Sequence, residues 1–296
     1  FSINIYNILY IFMDKFIILG DNGSGNKPQY LVAKSMEKIV KQDKINYVVG
    51  LGDNIYDFGV DSSTDKQFHT KFEKPYKNIP NKIKFYMCLG NHDYDYPSEI
   101  NNRFHNKSKH QIEYSKKSKK WHMPSKYYEF EKGKIQFVVC DTNLDFYTKD
   151  EIQKQINFIV NTFKKSKKKI KILVGHHTWT SIGGHGRALP LLNRFFNQIF
   201  SSCKDLNIYM CGHDHCKTHI IKKYKNRDVH LFICGTGGEG NLDTIYNLKT
   251  LHKNESLQYY APSFGVGVCK VIKDDLLITF YDIDLNVEYQ YKLSNI

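Results

Sequence analysis

The 296-residue sequence predicts an α/β fold with two packed sheets, on three observations. Short apolar runs rich in β-branched residues recur, each closing on glycine and polar residues. Segments with helical spacing lie between the early runs. After residue 208 those helical segments stop and strand-like runs follow one another. Strands buried on both faces read as continuous apolar runs, and helices covering a sheet read as amphipathic segments.

In chain order, FIILG (16–20) is the first predicted strand and YLVAKSMEKIVKQ (30–42) the first helix. The runs YVVGLG (47–52), FYMCLG (85–90) and FVVC (137–140) continue the strands. EIQKQINFIVNTFKK (151–165) is a second helix, followed by ILVG (172–175) and IYMCG (208–212). HLFICG (230–235), FGVGVCKVI (264–272), LLITFYDI (276–283) and VEYQYKL (287–293) form a mostly antiparallel remainder. No Pro/Gly/Ser-rich linker, composition break or fixed-period repeat interrupts the chain, so residues 14–296 are expected to form a single domain. Residues 1–13 are an apolar extension or a trimmed signal remnant.

Length and a hydrophobic share of 41% allow a sizeable core and exclude global disorder. The net charge of +13 comes largely from lysine runs, KKSKK (116–120) and KKSKKKIK (164–171), which read as solvated faces. No specific nucleic-acid partner is expected. Seven cysteines leave at least one unpaired, and five of them lie in or at the ends of strand-like runs, where a thiol acts as a small hydrophobe. No CxxC pair suggests a zinc knuckle or thioredoxin-type site. FSINIYNILYIF at the start is too short to span a bilayer, which needs about 20 apolar residues. No other stretch qualifies, and a monomer is expected. The compartment stays open, secretory or endolysosomal if residues 1–13 are a signal remnant and cytoplasmic if Met13 is the start.

Polar clusters follow the strand-like runs: GDNG (20–23), GDNIY (52–56), GNHD (90–93), GHH (175–177) and GHDH (212–215). Ligands of open α/β sheets bind outside the carboxyl ends of the strands. The glycines are expected to let the chain turn sharply at the sheet edge. The candidate metal donors are Asp21, Asp53, Tyr56, Asn91, His176, His213 and His215. These are too many for one four-coordinate zinc and suit two metals sharing one carboxylate, an arrangement that serves phosphoryl hydrolysis. Imidazole, carboxylate and amide together favour iron, zinc or manganese over calcium or magnesium.

This pattern resembles the calcineurin-like metallophosphoesterases, and within them the purple acid phosphatases of the small, tartrate-resistant type. The resemblance runs from Phe16 nearly to the end and includes QIEYSKKSKKWHMPSKYYEF (111–130) and the closing strands from YYAPSFGVGVCKV. It implies a four-layer α/β/β/α sandwich of two mixed sheets. Most of that superfamily opens with Asp-x-His, whereas here Gly23 stands at the histidine position. Tyr56, three residues after Asp53, matches the ligand that distinguishes purple acid phosphatases. By position, the resemblance places Asp21, Asp53, Tyr56 and His215 on Fe3+. It places Asp53, Asn91, His176 and His213 on a divalent Fe, Zn or Mn, with Asp53 bridging. His92 and His185 (in SIGGHG) match outer-sphere histidines that contact phosphate or protonate the leaving group, and Asn91 also faces substrate. His177 departs from the family pattern and is read as a tolerated neighbour, with contact to substrate as the alternative.

The function so implied is a dinuclear metal-dependent acid phosphatase, a hydrolase of phosphomonoesters on small molecules or phosphoproteins. Hydroxide attacks phosphorus directly and in line, with inversion and no phosphoenzyme. Two alternatives accompany it: a phosphodiesterase of the same superfamily, and a catalytically weak or inactive scaffold. The mammalian loop cysteines have no counterpart in TNLDFYTKDE (142–151), so regulation by loop cleavage is not expected.

Overall fold

The computed structural model describes residues 14–94, 107–244 and 246–294, so the predicted extension over residues 1–13 lies outside the described residues. The strands are β1 (Lys15–Leu19), β2 (Tyr47–Gly50), β3 (Lys84–Tyr86), β4 (Trp121–His122), β5 (Tyr128–Lys132), β6 (Ile135–Val139) and β7 (Ile170–Val174). They continue as β8 (Ile208–Cys211), β9 (Lys217–Tyr224), β10 (Arg227–Cys234), β11 (Glu255–Ala261), β12 (Gly265–Ile272), β13 (Asp275–Asp282) and β14 (Val287–Leu293). The main helices are α1 (Lys27–Asp43), α2 (Ser108–Tyr114), α3 (Lys149–Lys165) and α4 (Pro190–Ser202).

Two seven-stranded mixed sheets result, ordered β14-β13-β12-β1-β2-β3-β4 and β11-β9-β10-β8-β7-β6-β5. Each contains a parallel block, β1 to β4 in one and β6, β7, β8, β10 in the other. Antiparallel strands complete both sheets, as expected for the second half. The carboxyl ends of the two parallel blocks deliver all five polar clusters.

Between the sheets, Phe16 stacks on Tyr47 at 5.1 Å and meets the edge of Phe137 in the other sheet at 5.3 Å. Outside the second sheet, α3 buries Ile152, Ile156, Ile159 and Phe163, and α4 buries Phe195, Phe196, Ile199 and Phe200. These form one cluster with Val138, Leu173 and Leu231 of the sheet. On the first sheet, α1 buries Val32, Met36, Ile39 and Val40. Its start is fixed by Asn26, whose side chain accepts from Gln29 N, and by Pro28 in its first turn. A Thr148–Glu151 capping box starts α3.

The strand most hidden in the sequence is β9, KTHIIKKY, whose charges disguise it. Lys217 and Lys222 are nevertheless buried, Lys217 with Glu288 of the other sheet at 2.5 Å and Lys222 with Glu255. All seven cysteines are buried and unpaired. The lysine runs are mostly exposed, but Lys120 and Lys171 turn inward onto the Tyr76 and Phe163 carbonyls. No helix among the described residues is long and apolar enough to cross a membrane.

Candidate metal centre

Five loops bring the candidate donors to one place. Asp21 follows β1, Asp53 and Tyr56 follow β2, Asn91 follows β3, His176 follows β7, and His213 and His215 follow β8. Backbone bonds tie the loops together: Asp21 N donates to Gly52 O at 3.0 Å, Tyr56 N to Gly23 O at 3.0 Å and Gly212 N to His176 O at 3.2 Å.

The glycines act differently from expectation. Gly52 does take a left-handed φ of 93°, but Gly90 and Gly212 do not. A Cβ on Gly90 would lie 2.1 Å from Asp53 Oδ1, and one on Gly212 would lie 2.3 Å from Asp21 Oδ2. They are glycines because carboxylates press against their backbone. The left-handed conformations fall instead on the candidate ligands, Asp21 (φ 56°), Asp53 (φ 53°) and His213 (φ 73°). Non-glycine residues there are uncommon and concentrate at functional sites. Gly23 is constrained as well, since a Cβ would sit 1.9 Å from Asn54 O. Position 23 therefore holds no side chain of any kind in this fold.

Around Asp53 the donors form two sets. In the first, Tyr56 OH lies 3.1 Å from Asp21 Oδ1, 3.0 Å from Asp53 Oδ2 and 3.4 Å from His215 Nε2. In the second, His176 Nε2 lies 3.3 Å from Asp53 Oδ2, 3.0 Å from Asn91 Oδ1 and 3.2 Å from His213 Nδ1. Asp53 Oδ2 belongs to both. One phenol proton cannot serve two carboxylates, and one imidazole nitrogen cannot serve three partners. Metal–ligand bonds of about 2.1 Å in octahedral geometry place neighbouring donors about 3.0 Å apart, close to these separations. The donor sets thus fit two cations sharing Asp53.

The histidines are aimed by their outer nitrogens. His176 Nδ1 faces Leu51 O at 2.9 Å, while His215 Nδ1 faces Asn241 O at 2.6 Å and Glu239 Oε2 at 3.1 Å. Such outer bonds fix ring orientation at metal sites. Burial opposes charge on His176, but Asp53 overrides it and pushes its pKa up to about 9. Burial likewise works against His215, which Asp21 and Glu239 push up to about 11. Burial together with Asp21 and Asp53 pushes the Tyr56 phenol well above its ordinary value. In the protein alone, protons on these rings balance the carboxylates, a balance that cations would take over.

His92 and His185 border the donors. The His92 amide donates to Asp53 Oδ1 at 2.9 Å and its ring lies 4.4 Å from that of Tyr56. His185 is about half exposed, packs 3.9 Å from the His213 ring, and holds its Nδ1 2.8 Å from Asp214 Oδ1. That hydrogen bond raises its pKa. His177 turns from the carboxylates onto Thr142 Oγ1 at 2.7 Å, and burial pushes its pKa down to about 3.

Sequence reasoning overlooked four carboxylates that support the loops. Asp93 accepts from Asn54 N at 3.0 Å, Ile55 N at 3.1 Å and Gly90 N at 2.8 Å, locking two donor loops together. Asp214 holds His185, Glu239 holds His215, and Asp243 accepts from the His215 amide at 3.1 Å. Asp93 and Asp214 stood inside the GNHD and GHDH motifs, so their position was visible though their role was not. Asn22, which opens the glycosylation-type sequence Asn-Gly-Ser, is buried on Tyr76 OH and offers no acceptor for a glycan.

Comparison with known proteins agrees with this geometry. The calcineurin-like phosphoesterase family model matches residues 14–217. Purple acid phosphatase 4 of Arabidopsis thaliana is 28% identical, over 94% of this chain and 83% of its own. Tartrate-resistant acid phosphatase type 5 of Oryctolagus cuniculus is 27% identical, over 68% of this chain and 66% of its own. Among solved structures, GAP50, the anchor in the inner membrane complex of Plasmodium, shares the fold with a TM-score of 0.77 at 20% identity, covering 95% of this chain and 89% of that one. The matched segment contains every candidate donor from Asp21 to His215, and the chain belongs to the calcineurin-like phosphoesterases.

Proposed function

We propose that this phosphoesterase is a dinuclear, metal-dependent acid phosphatase acting on phosphomonoesters. The observation that carries this reading is the position of Asp53 Oδ2, 3.0 Å from Tyr56 OH in one donor set and 3.3 Å from His176 Nε2 in the other. Asp21, Asp53, Tyr56 and His215 would hold iron(III), for which an anionic phenolate is a suitable hard donor. Asp53, Asn91, His176 and His213 would hold divalent iron, zinc or manganese. Bound there, the pair would polarise phosphoryl oxygens and bring the pKa of water toward neutrality.

The remaining steps fall to the chain. Asp214 keeps Nδ1 of His185 occupied, and the raised pKa of this ring keeps it protonated under acidic conditions, able to donate to a departing alkoxide. His92 is held by Asp57 O on Nδ1 at 2.7 Å, leaving Nε2 to approach a phosphoryl oxygen. No serine or cysteine nucleophile takes part, so attack is direct and configuration at phosphorus inverts.

Metal analysis, a visible spectrum and p-nitrophenyl phosphate assays from pH 4 to 8 test this reading. A broad tyrosinate-to-iron band, lost in Tyr56→Phe, is expected. A colourless zinc or manganese protein with intact Tyr56 refutes the iron assignment. Absence of hydrolysis with two metals bound refutes the phosphatase. The likeness to GAP50, an anchor, favours a scaffold as the second reading. The complete donor set argues against it, and the same assay decides.

A further inference from the structure

Beside the donors lies a cleft of about 400 Å³ whose inner end is formed by Asn91, His177, His185 and His213. Leu144, Phe146, Leu189, Leu191 and Leu192 line it too, interspersed with polar residues such as Asn143. We infer that this cleft receives the alcohol portion of the substrate, and that this portion is apolar. The inference rests on the phosphatase reading and specifies its substrate class.

Three features support it. First, the cleft is continuous with the side from which His185 would protonate a leaving group, because His185 and His213 line both. Second, five leucine and phenylalanine side chains gather along it. Leu189 is 73% exposed at the start of α4, the highest exposure among the large hydrophobic residues described. Phe146 is fixed by stacking on Tyr94 at 4.3 Å, so it presents a rigid ring. An apolar pocket with a few convergent polar groups is the usual form of a small-molecule site.

Third, the charges lining the cleft disfavour a second phosphate or carboxylate on the substrate. Its one Lys or Arg is Arg187, and that guanidinium is already committed. It donates to Glu255 Oε2 at 2.5 Å, to Glu255 Oε1 at 3.2 Å and to Thr250 O at 3.0 Å. Asp145 at the rim is exposed and would repel a further anion. Of the hydroxyls that line it, Thr142 is already bonded to His177 and Thr178 to Gly186 O, so a polyol ester would leave most of its own hydroxyls against leucine side chains, at a cost. Diphosphates and sugar phosphates therefore fit the cleft less well than an apolar monoester.

The test uses the full chain with its metals and three probes: phenethyl phosphate, glycerol 3-phosphate and ADP. The first two release primary alcohols, so differences in leaving-group chemistry contribute little. We expect kcat/KM for phenethyl phosphate to exceed that for glycerol 3-phosphate by at least about tenfold, the scale of selectivity that apolar contacts supply. Leu189→Asp should shrink that ratio several-fold; because Leu189 is exposed, folding is not at stake. Phe146→Ser is the second variant. Calorimetric binding of phenethylphosphonate against 2-hydroxyethylphosphonate should show the same preference without turnover. Equal kcat/KM for the two esters, or a preference for ADP, overturns the cleft assignment and leaves the phosphatase standing. No hydrolysis of any ester with two metals bound overturns the phosphatase, and the phosphonate pair then decides the cleft by itself.

Discussion

His176 and His213 approach nitrogen to nitrogen at 3.2 Å at the ends of β7 and β8, while His219 and His230 do so at 3.0 Å between the sheets. The first pair lies against Asp53 and Asn91. The second lies among aromatic rings, with His219 stacked on Phe232 at 4.2 Å and bonded to Tyr289 OH at 2.8 Å. Among the described hydrogen bonds, no carboxylate reaches the second pair. In the first pair burial opposes charge on His176, but Asp53 overrides it and raises the pKa, while burial and the neighbouring histidines push His213 well down. In the second, burial pushes His219 down to about 3 and His230 down to about 4. Contact between imidazoles is therefore common to the candidate metal centre and a hydrophobic core. Nearby carboxylates make the difference, because they supply the negative charge that a cation requires.

The largest expected effect comes from removing that charge at its shared point. Asp53→Asn should lower kcat for a phosphomonoester by at least about 10³-fold, since metal stabilisation of the transition state is worth several kcal/mol. Steady-state kinetics with elemental analysis would check it, and retention of two metals with full activity would erase the distinction between the pairs. Next, His213→Phe should lower the metal content by about one ion per chain, whereas His219→Phe should leave it unchanged, as read by elemental analysis of the two variants. Equal losses would mean that both pairs bind metal.

A smaller effect tests whether ring orientation matters beyond ring identity. Glu239→Gln should weaken metal binding by about 10–100-fold, measured by metal titration, because it loosens His215 without removing it. The smallest effect concerns the core pair. Its native pKa values lie below 6.5, so the unfolded chain takes up protons that the native pair refuses as pH falls. Their contribution is complete above about pH 6.5 and is lost progressively toward pH 4 and below, with a slope of up to about 1.4 kcal/mol per pH unit for each excluded proton. Urea unfolding of His230→Phe at pH 7 and 4.5 should show a shallower loss than the parent. An unchanged slope would show that the pair does not titrate this way.

How much of this was legible in the sequence depended on distance along the chain. Asp21, Asp53, Asn91, His176 and His213 could be found because each closely follows an apolar run and a glycine, and parallel strands bring such positions together. Tyr56 counted as a donor from its place in GDNIY, but its pairing with Asp21 and His215 came only with the resemblance, because nothing local reveals where its hydroxyl reaches. Asp93, Asp214, Glu239 and Asp243 stayed hidden as supports, since a carboxylate that bonds loop amides has the same local sequence as one in a turn. The glycines misled in a different way. Their absent side chains make room for carboxylates arriving from distant loops, which no local rule detects. Strand β9 was obscured because Lys217 and Lys222 find acidic partners only in the folded chain.

The backbone twist at Asp21 and Asp53 has an evolutionary implication. Asparagine tolerates that twist about as well as aspartate does. One nucleotide change from an aspartate codon to an asparagine codon could therefore remove the negative charge of a candidate ligand while leaving the loop undisturbed. Enzymatic capacity and architecture are then separable by small mutational steps. A descendant could shed its chemistry early and survive as a stable surface for other roles.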